Sequence, residues 1–214
     1  MGRSSLPTIR PAAFEDADFI ARNIQAAQRG HLTRSAFDNA LNLPEAECLA
    51  FVRRLTLART KSWFHVSQFL IAEVDCEPAA ALCALPAAGT RAAAGAAIEE
   101  VAGESGLDAS EIFRRQAPAA NCWVQGGKGD WMLEYVASLG AYRGRGLVQA
   151  LLEQALAAGK ARGYTRASIS FLIGNAPAER CYARAGFAFA EEKRDPAFEA
   201  ITGSPGFRRF ERAI

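Results

Sequence analysis

The sequence predicts an α/β (α+β) fold, a central sheet flanked by helices, on three observations. Strand-like and helix-like runs alternate through the carboxy-terminal half, and glycines sit at the turns between them. The amino-terminal half adds a helical stretch of amphipathic spacing and a pair of apolar runs spaced like a hairpin. A chain of 214 residues, half of them hydrophobic, can bury the core of one generous domain, so a single unit over residues 1–214 is expected.

A short first strand is expected at residues 6–10. A helical region follows, with Phe14, Ala17, Ile20, Ala21 and Ile24 at helical spacing and Glu15 and Asp16 in a first turn. Residues 31–39 are polar enough for a loop or a broken helix. A second helix begins near Pro44, capped by Asn42 or a neighbour, with Cys48, Leu49, Val52, Leu55 and Leu57 inward. Residues 63–73 and 79–85 read as a hairpin turning at Asp75, Cys76, Glu77 and Pro78. The Ala- and Gly-rich stretch near residues 86–120 predicts two helices, 91–103 and 108–117, as a helical insertion over the sheet.

Residues 125–130, rich in glycine, read as a tight polar turn. The phosphate-loop pattern fails there, since Gly129 stands where Ser or Thr must follow the Lys. A strand is expected over residues 131–137, then a basic glycine turn at 142–146. An amphipathic helix follows through Leu147, Leu151, Leu152, Ala155 and Leu156, closed by Gly159 or Gly163. Another strand covers 167–173, and a helix runs from about Ala176 to Ala185 with Gly186 as its stop.

Charge excludes some functions. Lys and Arg (25) nearly balance Asp and Glu (23), for a net charge of +2, which leaves no electrostatic footprint for nucleic acid and no polybasic membrane patch. The five cysteines are scattered and form no CxxC pair, so reduced thiols are expected rather than disulfides or a zinc site. The first eleven residues contain no apolar run of a signal peptide, and no span approaches a membrane helix, so a cytoplasmic location is expected.

Two motifs carry chemistry. In Tyr142, Arg143, Gly144, Arg145, Gly146 and Leu147 the glycines allow a sharp turn and the following helix start offers unsatisfied N–H groups. Such a turn serves a phosphate or an ordinary strand–helix connection. A dinucleotide site is excluded twice: Gln149 takes the place of the third glycine, and no acidic residue closes the next strand at Phe171, Leu172 and Ile173. The second motif runs from Asn175 through Ala178 and Tyr182 to Gly186 and Phe187. Ala178 and Tyr182 share one helical face, Asn175 can cap the helix and Gly186 can end it. Alone, Tyr182 reads equally as a packing residue.

Together, in this order, residues 134–139, 142–147 and 175–187 resemble the GNAT superfamily of N-acetyltransferases, strongly over residues 131–190. The resemblance implies a mixed, mostly antiparallel central sheet and acetyl-CoA as cosubstrate, with no metal. It implies that the backbone of Val136, Ser138 and Leu139 holds the thioester arm, with an N–H near Ser138 or Leu139 facing the oxyanion. The pyrophosphate is expected on Arg143, Gly144, Arg145, Gly146, Leu147 and Val148, and Asn175, Ala178 and Tyr182 border the cofactor. Two positions depart from the family pattern: Val148 replaces a small residue, and Gly140 stands where Pro is common. Tyr182 resembles the family's general acid, and Glu134 is the candidate general base, its plain alternative being a strand carboxylate or ion-pair partner. The expected acceptor is a primary amine of a small molecule or amino-acid derivative, ahead of a protein amine or a CoA-binding module without turnover. A homodimer is compatible with the sequence.

Overall fold

Residues alternate between the two faces of a strand, and here that alternation separates two cores. The computed structural model describes residues 7–214; Leu6 of the expected first strand, and the amino-terminal residues before it, lie outside the described residues. Among the described residues the strands are β1 (Thr8–Pro11), β2 (Phe69–Val74), β3 (Glu77–Pro86), β4 (Trp131–Ser138), β5 (Arg166–Leu172), β6 (Ala188–Arg194) and β7 (Gly206–Ala213). They form one sheet in the order β1-β2-β3-β4-β5-β7-β6. All neighbours are antiparallel except β4 and β5, which run parallel. The mixed, mostly antiparallel sheet is the one expected.

The helices are α1 (Ala17–Arg29), α2 (Ala36–Leu41), α3 (Glu45–Thr56), α4 (Thr90–Glu104), α5 (Ala109–Cys122), α6 (Leu147–Ala161), α7 (Ala176–Arg184) and α8 (Pro196–Thr202). Ile71, Ala81, Cys83 and Met132 face a core built with α1, α3 and α4. Their neighbours Ala72, Ala80, Leu82 and Leu133 face the opposite core, built with α6. The Nε1–H of Trp131 donates to the carbonyl of Ala155 at 2.9 Å and ties α6 to the sheet. Gly159 allows that approach, because a Cβ there would lie 2.5 Å from Trp131 Cδ1.

Several expectations are corrected. Phe14 is 67% exposed, outside α1 in a short 3-10 turn. Asp16 closes that turn, accepting from Ala13 N–H and pairing with Arg10 at 2.7 Å, which holds its carboxyl below the usual carboxylate range. Pro44, not Asn42, precedes α3; Asn42 instead ends α2 in the left-handed conformation at φ 52°. The hairpin strand begins only at Phe69, since His65, Ser62 and Ser67 hydrogen-bond locally and hold a 3-10 turn. Its turn is tighter than expected: Asp75 and Cys76 have φ of 53° and 65°, and Glu77 and Pro78 already pair with β2.

The insertion forms α4 and α5 at the expected places, but it packs on α2, α3 and α8 as well as near β6 and β7. Residues 194–207 contain α8, which starts at Pro196 with Asp195 accepting from Phe198 N–H at 2.9 Å. Arg194 pairs with Glu192, Arg208 with Glu179 and Glu192, and Arg209 with Glu191 and Glu211.

Candidate active site

The site begins where two parallel strands part. β4 and β5 pair only at Trp131, Met132 and Leu133, opposite Ala167, Ser168 and Ile169. Beyond that register both strands continue, β4 to Ser138 and β5 to Leu172, without pairing to each other. A wedge opens between them, bordered by strand backbone.

A bulge aims the residues of β4 into the wedge. The register against β3 shifts between Ala81 and Cys83, so that Tyr135 and Val136 together oppose Leu82. Tyr135 takes φ 52°, an uncommon conformation for an aromatic residue. Buried Asn23 of α1 stabilises it, donating from Nδ2 to the carbonyls of Tyr135 (2.7 Å) and Ala81 (3.4 Å). Phe64 and Phe69 stack on the Tyr135 ring, with centroids 5.7 and 6.3 Å away. Sequence reasoning missed Asn23, an ordinary polar residue on a helix until the bulge is known.

A cavity of about 1360 Å³ fills the wedge and runs between α1–α2 and α4–α5. Its wall includes Glu134, Val136, Ser138, Arg143, Gly144, Arg145, Gly146, Leu147, Val148, Asn175, Ala178 and Tyr182. Every predicted site residue therefore meets in one place except Leu139, which is absent from the wall. The Leu139 N–H is already donated to Ala79 O at 2.9 Å. Alternation along the strand turns the Ser138 N–H to the other edge, toward the wedge. Of the two candidate oxyanion donors, Ser138 alone is free to act.

At one end lies the basic glycine turn. Gly144 and Gly146 have φ of 77° and 78°, and a Cβ at either would meet nothing within 4 Å, so the turn surface is open. The first intrahelical bond of α6 is donated by Ala150 N–H to Gly146 O at 3.1 Å. The amides of Leu147, Val148 and Gln149 precede it, with the positive end of the helix dipole behind them. Val148 packs its side chain against the α6 core, which leaves its amide serviceable despite the branched side chain. Arg145 lies over the Tyr142 ring at 5.2 Å, while Arg143 is exposed.

At the point of the wedge stand two proton-carrying groups. Glu134 is half-buried, but its Oε1 is shielded from solvent and has no hydrogen-bond partner among the described residues. Burial pushes its carboxyl up to about 8. Tyr182 is 6% exposed, with its ring edge-on to Phe171 at 5.4 Å and Phe187 at 6.5 Å. Burial, with Cys181 and Glu134 nearby, pushes its phenol far above the usual range, so it stays protonated. Asn175 caps α7 by accepting from Ala178 N–H at 3.3 Å, and Gly186 ends the segment at φ 80°. One carboxyl pushed up to about 8 and one phenol held protonated thus share a cavity with a helix start whose first amides make no intrahelical bond. That arrangement suits transfer of a group from a phosphate-bearing donor to a protonatable acceptor.

Residues 41–187 match the sequence profile of the acetyltransferase (GNAT) family. The chain belongs to that family. The protein is an acyltransferase of GNAT fold, and the family uses acetyl-CoA. The matched segment begins well before residue 131, at residue 41 near the end of α2. A crystal structure of an acetyltransferase aligns over 97% of this GNAT chain and 99% of its own, with 18% identity and a TM-score of 0.71. The N-acetyltransferase from Staphylococcus aureus Mu50 aligns over 96% and 100%, with 18% identity and a TM-score of 0.66. The polyamine N-acetyltransferase of Drosophila melanogaster, described as forming N-acetylagmatine, aligns over 98% and 100% at 13% identity and a TM-score of 0.54. At these identities the likeness is one of fold. No curated protein matches the chain. Among the described residues no helix of this acetyltransferase is long and apolar enough to cross a membrane, and no cluster of His, Cys, Asp or Glu could hold a metal ion.

Proposed function

We propose that this acetyltransferase moves an acetyl group from acetyl-CoA to the primary amine of a small molecule. The observation that carries the reading is the meeting of Glu134 and Tyr182 in one cavity beside the parted strands. The residues present fit acetyl-CoA. The unclaimed amides of Leu147, Val148 and Gln149 and the open surface over Gly144 and Gly146 suit a pyrophosphate, with Arg143 nearby. The unpaired edge of β4 from Val136 to Ser138 suits an extended amide-bearing arm. When bound, acetyl-CoA supplies an activated acyl carbon.

The chain's own groups then manage protons and charge. An alkyl amine is mostly protonated at neutral pH and must lose a proton to become a nucleophile. Glu134 Oε accepts that proton, directly or through water, because its own affinity for protons lies close to the working pH. The Ser138 N–H faces the carbonyl oxygen as charge develops there. Tyr182 presents a proton that solvent cannot remove and donates it toward the departing sulfur. Net, an N–C bond forms and a C–S bond breaks; of the two protons the ammonium loses, one reaches solvent through Glu134 and the other, shed by the nitrogen as the amide forms, restores Tyr182 after its own proton has gone to the thiol.

A cytoplasmic location and one folding unit over the whole chain belong to the same reading. The shared seven-stranded sheet, with strands from both ends of the chain, supports the latter. Phe189 on edge strand β6, 58% exposed, supports self-association into a homodimer, which sedimentation would detect.

Free-thiol release from acetyl-CoA over a broad panel of amines tests the function. Release that depends on an amine is expected. Tight CoA binding with no release from any amine would make the protein a CoA-binding module instead.

A further inference from the structure

The part of the cavity distant from the glycine turn has a consistent chemistry. A continuous aromatic wall leads from the insertion to the base of the wedge. The Arg91 guanidinium, on α4, lies over the Trp123 ring at 5.0 Å. Trp123 meets Trp63 edge-on at 5.1 Å, and Trp63 meets Phe64 edge-on at 5.9 Å. Phe64 stacks on Tyr135 at 5.7 Å, and Tyr135 adjoins Glu134 in the chain. All six residues line the cavity. The wall thus has a carboxyl at one end and a guanidinium at the other.

The charges are unequal. Glu134 is the only carboxylate among the described residues that line the cavity, whereas Arg91, Arg143, Arg145 and Arg184 all do. A second positive centre would find no second acid in the lining and would meet the like charge of Arg91 at the far end of the wall. Arg91 is exposed and has no ion pair among the described residues, so its charge is available to a ligand.

Resting on the acetyl-transfer reading above, we propose that the acceptor is a monoamine with an aromatic body and an anionic group at the end opposite the amine. The ammonium goes to Glu134, whose shielded Oε1 has no hydrogen-bond partner among the described residues. The aromatic body packs on Trp63 and Trp123, which gain area and edge-to-face contacts. The carboxylate, or another anion, takes Arg91, whose planar fork is held in place by stacking on Trp123. An α-amino acid fits poorly, since its carboxylate, on the carbon that bears the amine, would stay at the Glu134 end of the wall and leave Arg91 unpaired. The cavity therefore selects against polyamines and agmatine by charge and for aromatic monoamines by shape.

The test uses four acceptors on the full chain: 4-(2-aminoethyl)benzoate, 2-phenylethylamine, agmatine and spermidine. The aminoethylbenzoate is expected to give the highest kcat/KM, with both polycations about tenfold or more below it. In Arg91→Gln the preference for aminoethylbenzoate over 2-phenylethylamine should collapse about tenfold, through KM rather than kcat. Independently of turnover, aminoethylbenzoate should quench tryptophan emission of the protein without acetyl-CoA, and Trp123→Phe should diminish the change. Faster turnover of agmatine or spermidine, or an unchanged preference in Arg91→Gln, overturns the proposal while leaving acetyl transfer intact. If no amine releases thiol, acetyl transfer itself fails. The fluorescence titration then still decides the ligand class: saturable quenching by aminoethylbenzoate and not by spermidine supports it, and the reverse refutes it.

Discussion

The side-chain amide of Asn23 donates to the main-chain carbonyl of Tyr135 at 2.7 Å, across more than a hundred residues of sequence. The same Nδ2 reaches Ala81 O at 3.4 Å, so one helix residue serves both strands at the bulge. Tyr135 lies in the bulge, outside the regular register with β3, and a buried unpaired carbonyl there is costly. Asn23 thereby links α1 to the strand that carries Glu134, Val136 and Ser138. Replacing it with Asp, which cannot donate, is expected to cost about 1–3 kcal/mol of stability in urea unfolding. It should also lower kcat in thiol-release assays, because Glu134 and Ser138 shift with the bulge. Normal stability and kcat in Asn23→Asp would mean that the bulge holds without this bond.

Tyr182→Phe keeps the ring contacts with Phe171 and Phe187 and removes only the proton donor. Expected are an unchanged melting temperature within a degree or two, near-normal CoA binding by calorimetry, and a kcat lower by roughly 10²-fold. A fully active variant would remove Tyr182 from the proton-donor role.

Glu134 links pH to both activity and stability. With its carboxyl pushed up to about 8, the rate of the free enzyme should rise with pH toward that value, and Glu134→Gln should lose this limb. The folded protein holds the Glu134 proton over a pH range where the unfolded chain has released it, from about 4.5 to about 8. In that window the folded state binds more protons, so this group's contribution to stability falls as pH rises. Thermal unfolding should accordingly show Glu134→Gln gaining on the wild type between pH 5 and about pH 8. A constant difference across that range would place Glu134 in contact with water or a counter-ion that keeps its carboxyl ordinary.

Gly159 is needed for the contact of α6 with Trp131. Trp131 is fully buried and its Nε1 is committed to Ala155, so the ring has little room to retreat. Gly159→Val should therefore destabilise by about 1–3 kcal/mol through overpacking, beyond any gain in helix propensity. Chemical denaturation checks it, and an unchanged midpoint would show that α6 can slide on the sheet.

The local pattern of this protein was legible wherever one element's own residues decide its form. Leu147, Leu151, Leu152, Ala155 and Leu156 do line the buried face of α6, and Asn175 and Gly186 do bound α7, because periodicity and capping act within a few residues. α8 has a readable start signal in Asp195 followed by Pro196, while Gly203, Pro205 and Gly206 crowd its other end with turn residues. The 3-10 turn before β2 was hidden because Trp63, Phe64 and Val66 look like strand residues, while Ser62 and His65 bond to the local backbone.

By itself, the sequence determined the family, the order of elements and the two motifs that bind and act, since glycine turns, caps and helical faces are short-range properties. Only the tertiary structure decided where β4 leaves β5, that Asn23 holds the bulge, that Leu139 spends its N–H on Ala79, and that Glu134 is shielded enough to titrate near neutrality. It also decided that rings from residues 63, 64, 123 and 135 form one wall. Burial and strand pairing depend on partners distant along the chain, and no local pattern records which partner arrives.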